Sequence, residues 1–219
     1  VGLDCPTVTE TDSDIVESQR HEETSAPDPE QVARSQAALA EVIRFGDPVL
    51  RSTASRVDDF GAGLAAEIER MKRIVMDAPG SGLAATQLGI LRRLFVYRPD
   101  QGNEVRVVVN PEIEWSSEET EIGLEGCLSI PEVALEIERP ISIRMRAQDE
   151  SGEEILIEET GWTARVLQHE ADHLDGVLTI DRTNPEQRKG ALRALRQGES
   201  YWPPNLEDEE HADHEAPEV

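Results

Sequence analysis

Apolar residues recur at helical spacing in some stretches of this chain and alternate in others. Leu64, Ile68, Met71 and Val75 lie three or four apart, which predicts a helix over about residues 61–78. Asp58 or Asp59 is placed to cap it, and Pro79-Gly80 to end it. That stripe reads as core. A second helix is expected between a Thr160 N-cap and Gly176, with Trp162, Val166, Leu167 and Leu174 as its buried face. A third is expected over Pro185–Gln197, after a connection at 181–184. Residues 93–98, 105–110 and 113–116 are strand-like, and 121–127 leads into Cys127-Leu-Ser-Ile-Pro131. Residues 141–148 and 154–158 alternate around Asp149-Glu-Ser-Gly152, which suggests a hairpin. Gly46 and Pro48 break a short opening segment over 41–50. Several short strands with few helices indicate an α+β domain rather than a doubly wound parallel sheet.

Composition sharpens the boundaries. Of 219 residues, 37% are hydrophobic and 4% aromatic, and the formal net charge is −25. Residues 1–38 contribute −7 and residues 205–219 another −7. Both ends offer too little apolar surface to offset ordering entropy. They are therefore expected to be a disordered N-terminal extension, with a short helix near Pro29–Ala40, and a disordered C-terminal tail. The globular domain is expected at 39–204, with Pro203-Pro204 closing it. Cys5 and Cys127 form no disulfide framework. No apolar run of membrane length and no signal-peptide pattern occurs, so a cytoplasmic monomer is expected. The acidity argues against general nucleic-acid binding. Within it, Arg188, Lys189, Arg193 and Arg196 face only Glu186 over 185–197, a local net of +3. Those cations read either as a face able to grip phosphate or as a solvated basic face that complements the helix C-terminus.

The chemistry concentrates in His169-Glu170-x-x-His173. On a helix, positions i and i+4 share a face, so both imidazoles reach one metal ion, and Glu170 can take a proton beside it. Cys127, in Glu125-Gly-Cys-Leu-Ser129, is the best third ligand. Carboxylates are numerous, however, and spacing alone does not choose among them. Glu125 and Asp172 are candidates for orienting a ligand histidine. The loop Gly80-Ser-Gly-Leu-Ala-Ala-Thr-Gln87 lacks a phosphate-loop pattern. Its small residues permit close backbone approach, and Gln87 offers an uncharged donor suited to an oxyanion. His21, His211 and His214 read as solvated.

Together, Gly80-x-Gly-Leu-Ala-Ala-x-Gln87, Glu125-Gly-Cys-Leu-Ser129 and Gln168-His-Glu-x-Asp-His173 resemble the three signature motifs of the peptide deformylase family, in order, over roughly residues 40–200. The resemblance implies antiparallel sheets around a central helix that carries the metal ligands, plus a C-terminal helix. It implies the ligands Cys127, His169 and His173, with Glu170 as acid/base. It also implies an oxyanion site from the Gln87 side chain and the Leu128 N–H, and one divalent ion: Fe(II) by expectation, with Zn, Ni or Co able to replace it. The reaction implied is removal of the formyl group from N-formylmethionyl nascent peptides, and since such chains emerge from the ribosome, the basic helix over 185–197 is expected to dock weakly there near the exit tunnel. Substrate contacts are expected at Ser81, Gly82, Leu128 and Val166. Ser81 stands where the family usually has Ile or Val, and Ala134 where some members have a substrate-facing Arg; Arg139 is retained. Two alternatives stay open: a related amidase with another N-acyl substrate, and an idle metal-containing binding module.

Overall fold

A computed structural model of the chain describes residues 28–99 and 104–204. Helix α1 spans Pro29–Ala40 and α2 spans Ala62–Asp77. Leu64, Ile68, Met71 and Val75 are buried as their spacing predicts, and Ile74 joins them. Neither aspartate caps α2. Its N-cap is Gly61, because Asp59 Oδ1 accepts the Gly61 N–H at 2.9 Å and closes a turn just ahead of the helix. Helix α1 crosses the boundary expected at 38/39. Asp28 caps it at the Glu30 N–H, Ala38 is buried in the same core cluster as the α2 stripe, and Glu41 pairs with Arg70 and Arg73 of α2 at 2.8 and 2.7 Å. Residues 29–38 are thus structured, because an amphipathic helix needs only one packed side. Expectations for residues 1–27 and 205–219, including Cys5 and the tail histidines, lie outside the described residues.

All strand pairing within the two sheets is antiparallel. Strands β1 (Gly82–Ala84), β2 (Leu94–Tyr97), β3 (Arg106–Ser116), β6 (Ser142–Gln148) and β7 (Glu154–Thr160) form one sheet in the order β1-β2-β3-β6-β7. Strands β4 (Thr120–Cys127) and β5 (Ile130–Pro140) form a second. The runs 105–110 and 113–116 are one strand, not two. Its register slips between Val109 and Glu112, where Asn110 takes φ +53° and Pro111 brings no N–H. The Asn110 side chain secures the irregularity by bonding the Val57 N–H and C=O, both at 2.8 Å. Strands β4 and β5 were not anticipated, although in β5 Val133, Leu135 and Ile137 are buried and Glu136 and Glu138 alternate with them. The β6–β7 hairpin has the predicted bounds within two residues.

Helix α3, Gly161–Leu174, packs on β1, β2, β6 and β7 and also meets β5. Ala164, Leu167, Ala171 and Leu174 share a cluster with Phe95, Val108, Ile143 and Met145. Thr160 occupies the N-cap, yet its hydroxyl accepts from Ser142 Oγ at 2.9 Å and makes no cap bond. Trp162 is 46% exposed, contrary to its expected place in the core. Gly176, at φ +71°, ends the helix; a Cβ there would lie 2.6 Å from Arg51 O. The stretch expected as a connection at 181–184 begins inside a one-turn helix, α4 (Thr179–Arg182). Helix α5 has the predicted span Pro185–Gln197, with Asn184 Oδ1 accepting from the N–H groups of Glu186 and Gln187. No helix among the described residues is long and apolar enough to cross a membrane.

Candidate active site

The helical period of α3 sets His169 and His173 one turn apart, with ring centroids 4.9 Å from each other. Cys127 ends β4, and the tight β4–β5 turn delivers its thiol to the same face. The ligand atoms of Cys127, His169 and His173 all lie within 4.8 Å of one another, and Sγ is 3.3 Å from His173 Nε2. This is the group among the described residues suited to a metal. Two imidazoles and a thiol are donors for a divalent transition ion, and three ligands leave a coordination position open.

Glu125 fixes one ligand. Its Oε2 lies 2.9 Å from His169 Nδ1, so Nε2 is the ring nitrogen left for an ion. Arg139 grips the same carboxylate with two bonds of 2.6 and 2.9 Å, and Arg165 Nη1 adds a third at 2.9 Å. Burial would raise the Glu125 pKa, but the bonds to His169 and Arg139 outweigh it and hold the carboxyl well below its usual range. Asp172 does not orient a histidine. It accepts from Arg139 at 2.9 Å and from Arg182 at 2.5 and 3.1 Å, extending the ion network to α4. Arg139 is 4% exposed inside this network, so its task is architectural. Gly123 makes room for Arg165: a Cβ there would stand 2.7 Å from Arg165 Cζ.

Burial would raise the Cys127 pKa, but the neighbouring His173 and His169 bring it well below the usual thiol value, favouring the thiolate a metal requires. Burial would depress His169, but Cys127 and Glu125 hold its pKa well above normal. An ion bound there would displace that proton. Glu170 is 3% exposed, and burial raises its pKa, only partly opposed by His169 and His173. Its Oε2 is buried without a hydrogen-bond partner. Gly82 permits this placement, since a Cβ on it would lie 2.4 Å from Glu170 Oε1.

Gln87 is buried, not a surface amide. The Ala84 N–H donates to its Oε1 at 2.9 Å, which turns Nε2 toward Ser129 Oγ at 3.2 Å and Cys127 Sγ at 3.7 Å. Leu128 follows Cys127 in the turn. Its carbonyl accepts from Arg44 at 2.7 Å, and the Ser129 carbonyl accepts from the Phe45 N–H at 2.8 Å. A cleft of about 490 Å³ is lined by Ser81, Gly82, Leu128 and Val166 as well as by Gln87, Cys127, His169 and Glu170. Eight of the nine residues expected as metal ligands, acid/base, oxyanion donors or substrate contacts line it, and the ninth, His173, approaches Cys127 Sγ at 3.3 Å. Arg165 was missed as part of the site, while Arg139 was noted only as a retained position and Ser129 only as the end of a motif. The alternation of β5 carried a signal for Arg139, whereas Arg165 looked like one more polar helix position.

Residues 39–189 match the family model for polypeptide deformylase. The chain belongs to the peptide deformylase family. Among curated deformylases, peptide deformylase 1 of Corynebacterium glutamicum is 45% identical over 161 residues, covering 73% of this chain and 95% of that protein. The Thermotoga neapolitana deformylase is 51% identical over 144 residues, covering 66% and 87%. The crystal structure of the Thermotoga maritima deformylase superposes with a TM-score of 0.63 at 48% identity, covering 66% of this chain and 97% of that one. A Synechococcus elongatus deformylase solved with actinonin gives 0.67 at 38% identity, covering 73% and 88%. The three deformylase motifs fall within the matched region, whereas most of α1 and the end of α5 fall outside it.

Proposed function

We propose that the cleft between β1 and the β4–β5 turn is the site where this deformylase removes the formyl group from N-formylmethionyl nascent peptides. One observation carries the reading: three metal-ligand atoms within 4.8 Å, with the unpartnered carboxylate oxygen of Glu170 in the same cleft. Cys127, His169 and His173 would hold one divalent ion. When bound, it supplies Lewis acidity, polarising the formyl carbonyl and easing deprotonation of a water. Glu170 accepts that proton as the water oxygen adds to the formyl carbon, and its raised pKa suits a group that must then give the proton back. Gln87 Nε2 and the Leu128 N–H hold the oxyanion. Glu170 protonates the leaving amine, the C–N bond breaks, and formate departs.

The Cys/His/His donor set accommodates Fe(II), Zn, Ni or Co. Fe(II) is our choice, to be checked by metal analysis of protein prepared without oxygen. Gly82 and Ser81 present the edge of β1 to the peptide backbone, while Leu128 and Val166 wall the methionine pocket. Since the substrates are emerging chains, we place the enzyme in the cytoplasm as a monomer that visits the ribosome through α5. The deciding assay is formate release from formyl-Met-Ala-Ser beside acetyl-Met-Ala-Ser. Rapid release from the first alone is expected. Equal turnover of both would overturn the assignment in favour of a broader amidase.

A further inference from the structure

Beyond α5 the chain turns at Gly198, φ +70°, and runs back along β5. The Tyr201 N–H donates to Glu132 O at 2.9 Å, and the Ala134 N–H donates to Tyr201 O at 3.0 Å. The Tyr201 ring lies over Gly190 of α5, where a Cβ would stand 2.3 Å from Cε2. Pro203 is buried. Backbone pairing, a ring seated on a glycine and a buried proline therefore fix this segment on both sides of Trp202. Yet Trp202 itself is 50% exposed and lines the catalytic cleft. Trp162 and Leu124, also exposed, line it too. Large apolar side chains held rigidly open at a cleft mouth mark a surface that awaits an apolar partner. The family match ends at residue 189, so Trp202 lies beyond the matched region.

We propose that Trp202 is a specificity-determining residue that receives an apolar or aromatic side chain of the substrate downstream of methionine. The inference rests on the cleft being the deformylation site. The Tyr201 pairing occupies the β5 groups at 132 and 134, so this wall offers the peptide a ring face instead of backbone hydrogen bonds. Backbone pairing falls to β1, an edge strand that among the described residues pairs with β2 alone. Glu132 lines the same wall, so an acidic side chain meets a like charge there.

The test is kcat/KM for formate release from formyl-Met-X-Ala and formyl-Met-Ala-X, with X as Ala, Leu, Phe or Asp. Wild type should favour Phe over Ala by about tenfold at one of the two positions, the size of an aromatic pairing. Trp202→Ala should bring that ratio close to one, with the change in KM, and Trp202→Phe should keep most of it. A purely structural segment would instead lower turnover of every peptide alike and leave the ratio intact. A ratio unchanged in Trp202→Ala, or no preference at either position in wild type, overturns the inference while formyl-Met-Ala-Ala is still cleaved. If wild type releases formate from none of the peptides, the reading of the cleft fails and takes this inference with it.

Discussion

Glu170 shows how much of the chemistry depends on a single placement. A carboxylate sealed from water is costly unless a nearby charge or a reacting proton justifies it. Here Gly82 admits it, burial raises its pKa, and one oxygen is left without a partner. Glu170→Gln should therefore retain the metal and lose about 10²–10⁴ in kcat, the usual worth of a positioned acid/base. His173→Ala should lose metal and activity together. Metal content and formate release, measured on the same samples, separate the two outcomes. A Glu170→Gln variant with near-normal kcat would contradict the proton-transfer role.

At the scale of elements, Asp181 joins three of them. Its carboxylate accepts the Leu178 N–H at 3.0 Å at the start of α4, pairs with Arg51 of the 3₁₀ turn Pro48–Arg51, and lies 3.4 Å from Arg188 of α5. Burial would raise its pKa, but the Arg51 and Leu178 bonds more than offset this and lower it. A depressed carboxylate stabilises the fold above its unfolded value of about 3.9 and loses that contribution as pH falls through the folded value. Asp181→Asn should thus cost about 1 kcal/mol near neutrality, and the difference should vanish in acid. Urea unfolding at pH 7, 5 and 3 measures it; a constant gap at all three would refute the linkage. The same helix, α5, exposes Lys189, Arg193 and Arg196, while Leu192 and Leu195 pack inward. Arg188, Lys189, Arg193 and Arg196 changed together to Glu should abolish salt-sensitive co-sedimentation with ribosomes. Undiminished binding of that variant would remove α5 from the proposal.

Across the whole molecule, the packed body begins with α1. Ala38 is buried against the α2 stripe, and Leu39 both packs there and lines the cleft. A chain of residues 28–204 should melt close to the full-length protein, because residues 1–27 and 205–219 offer little apolar surface. Starting at residue 39 should lower the melting temperature by about 4 °C or more and raise KM for formyl-Met peptides. Calorimetry on the two chains checks this, and equal melting temperatures would show that α1 adds nothing to stability.

Local pattern determined what is local. The α2 stripe, the span of α5 and the β6–β7 hairpin were legible because helix and strand periods are written into neighbouring residues. His169, Glu170 and His173 were legible for the same reason: one turn of helix is enough to converge two imidazoles. Cys127 and Gln87 were candidates by residue type, and motif resemblance gave them their roles, since nothing in their spacing places them against α3. Tertiary packing decided the remainder. Only the fold tells which carboxylate takes His169 Nδ1, because Glu125 and Asp172 look alike in a chain this acidic. Only the fold buries Arg139 and Arg165 as the counter-charges of Glu125, and brings Trp202 to the cleft from 75 residues beyond Cys127. Such contacts join positions far apart in the chain, and their geometry is set when β5 receives the segment after α5, not by any period along the sequence.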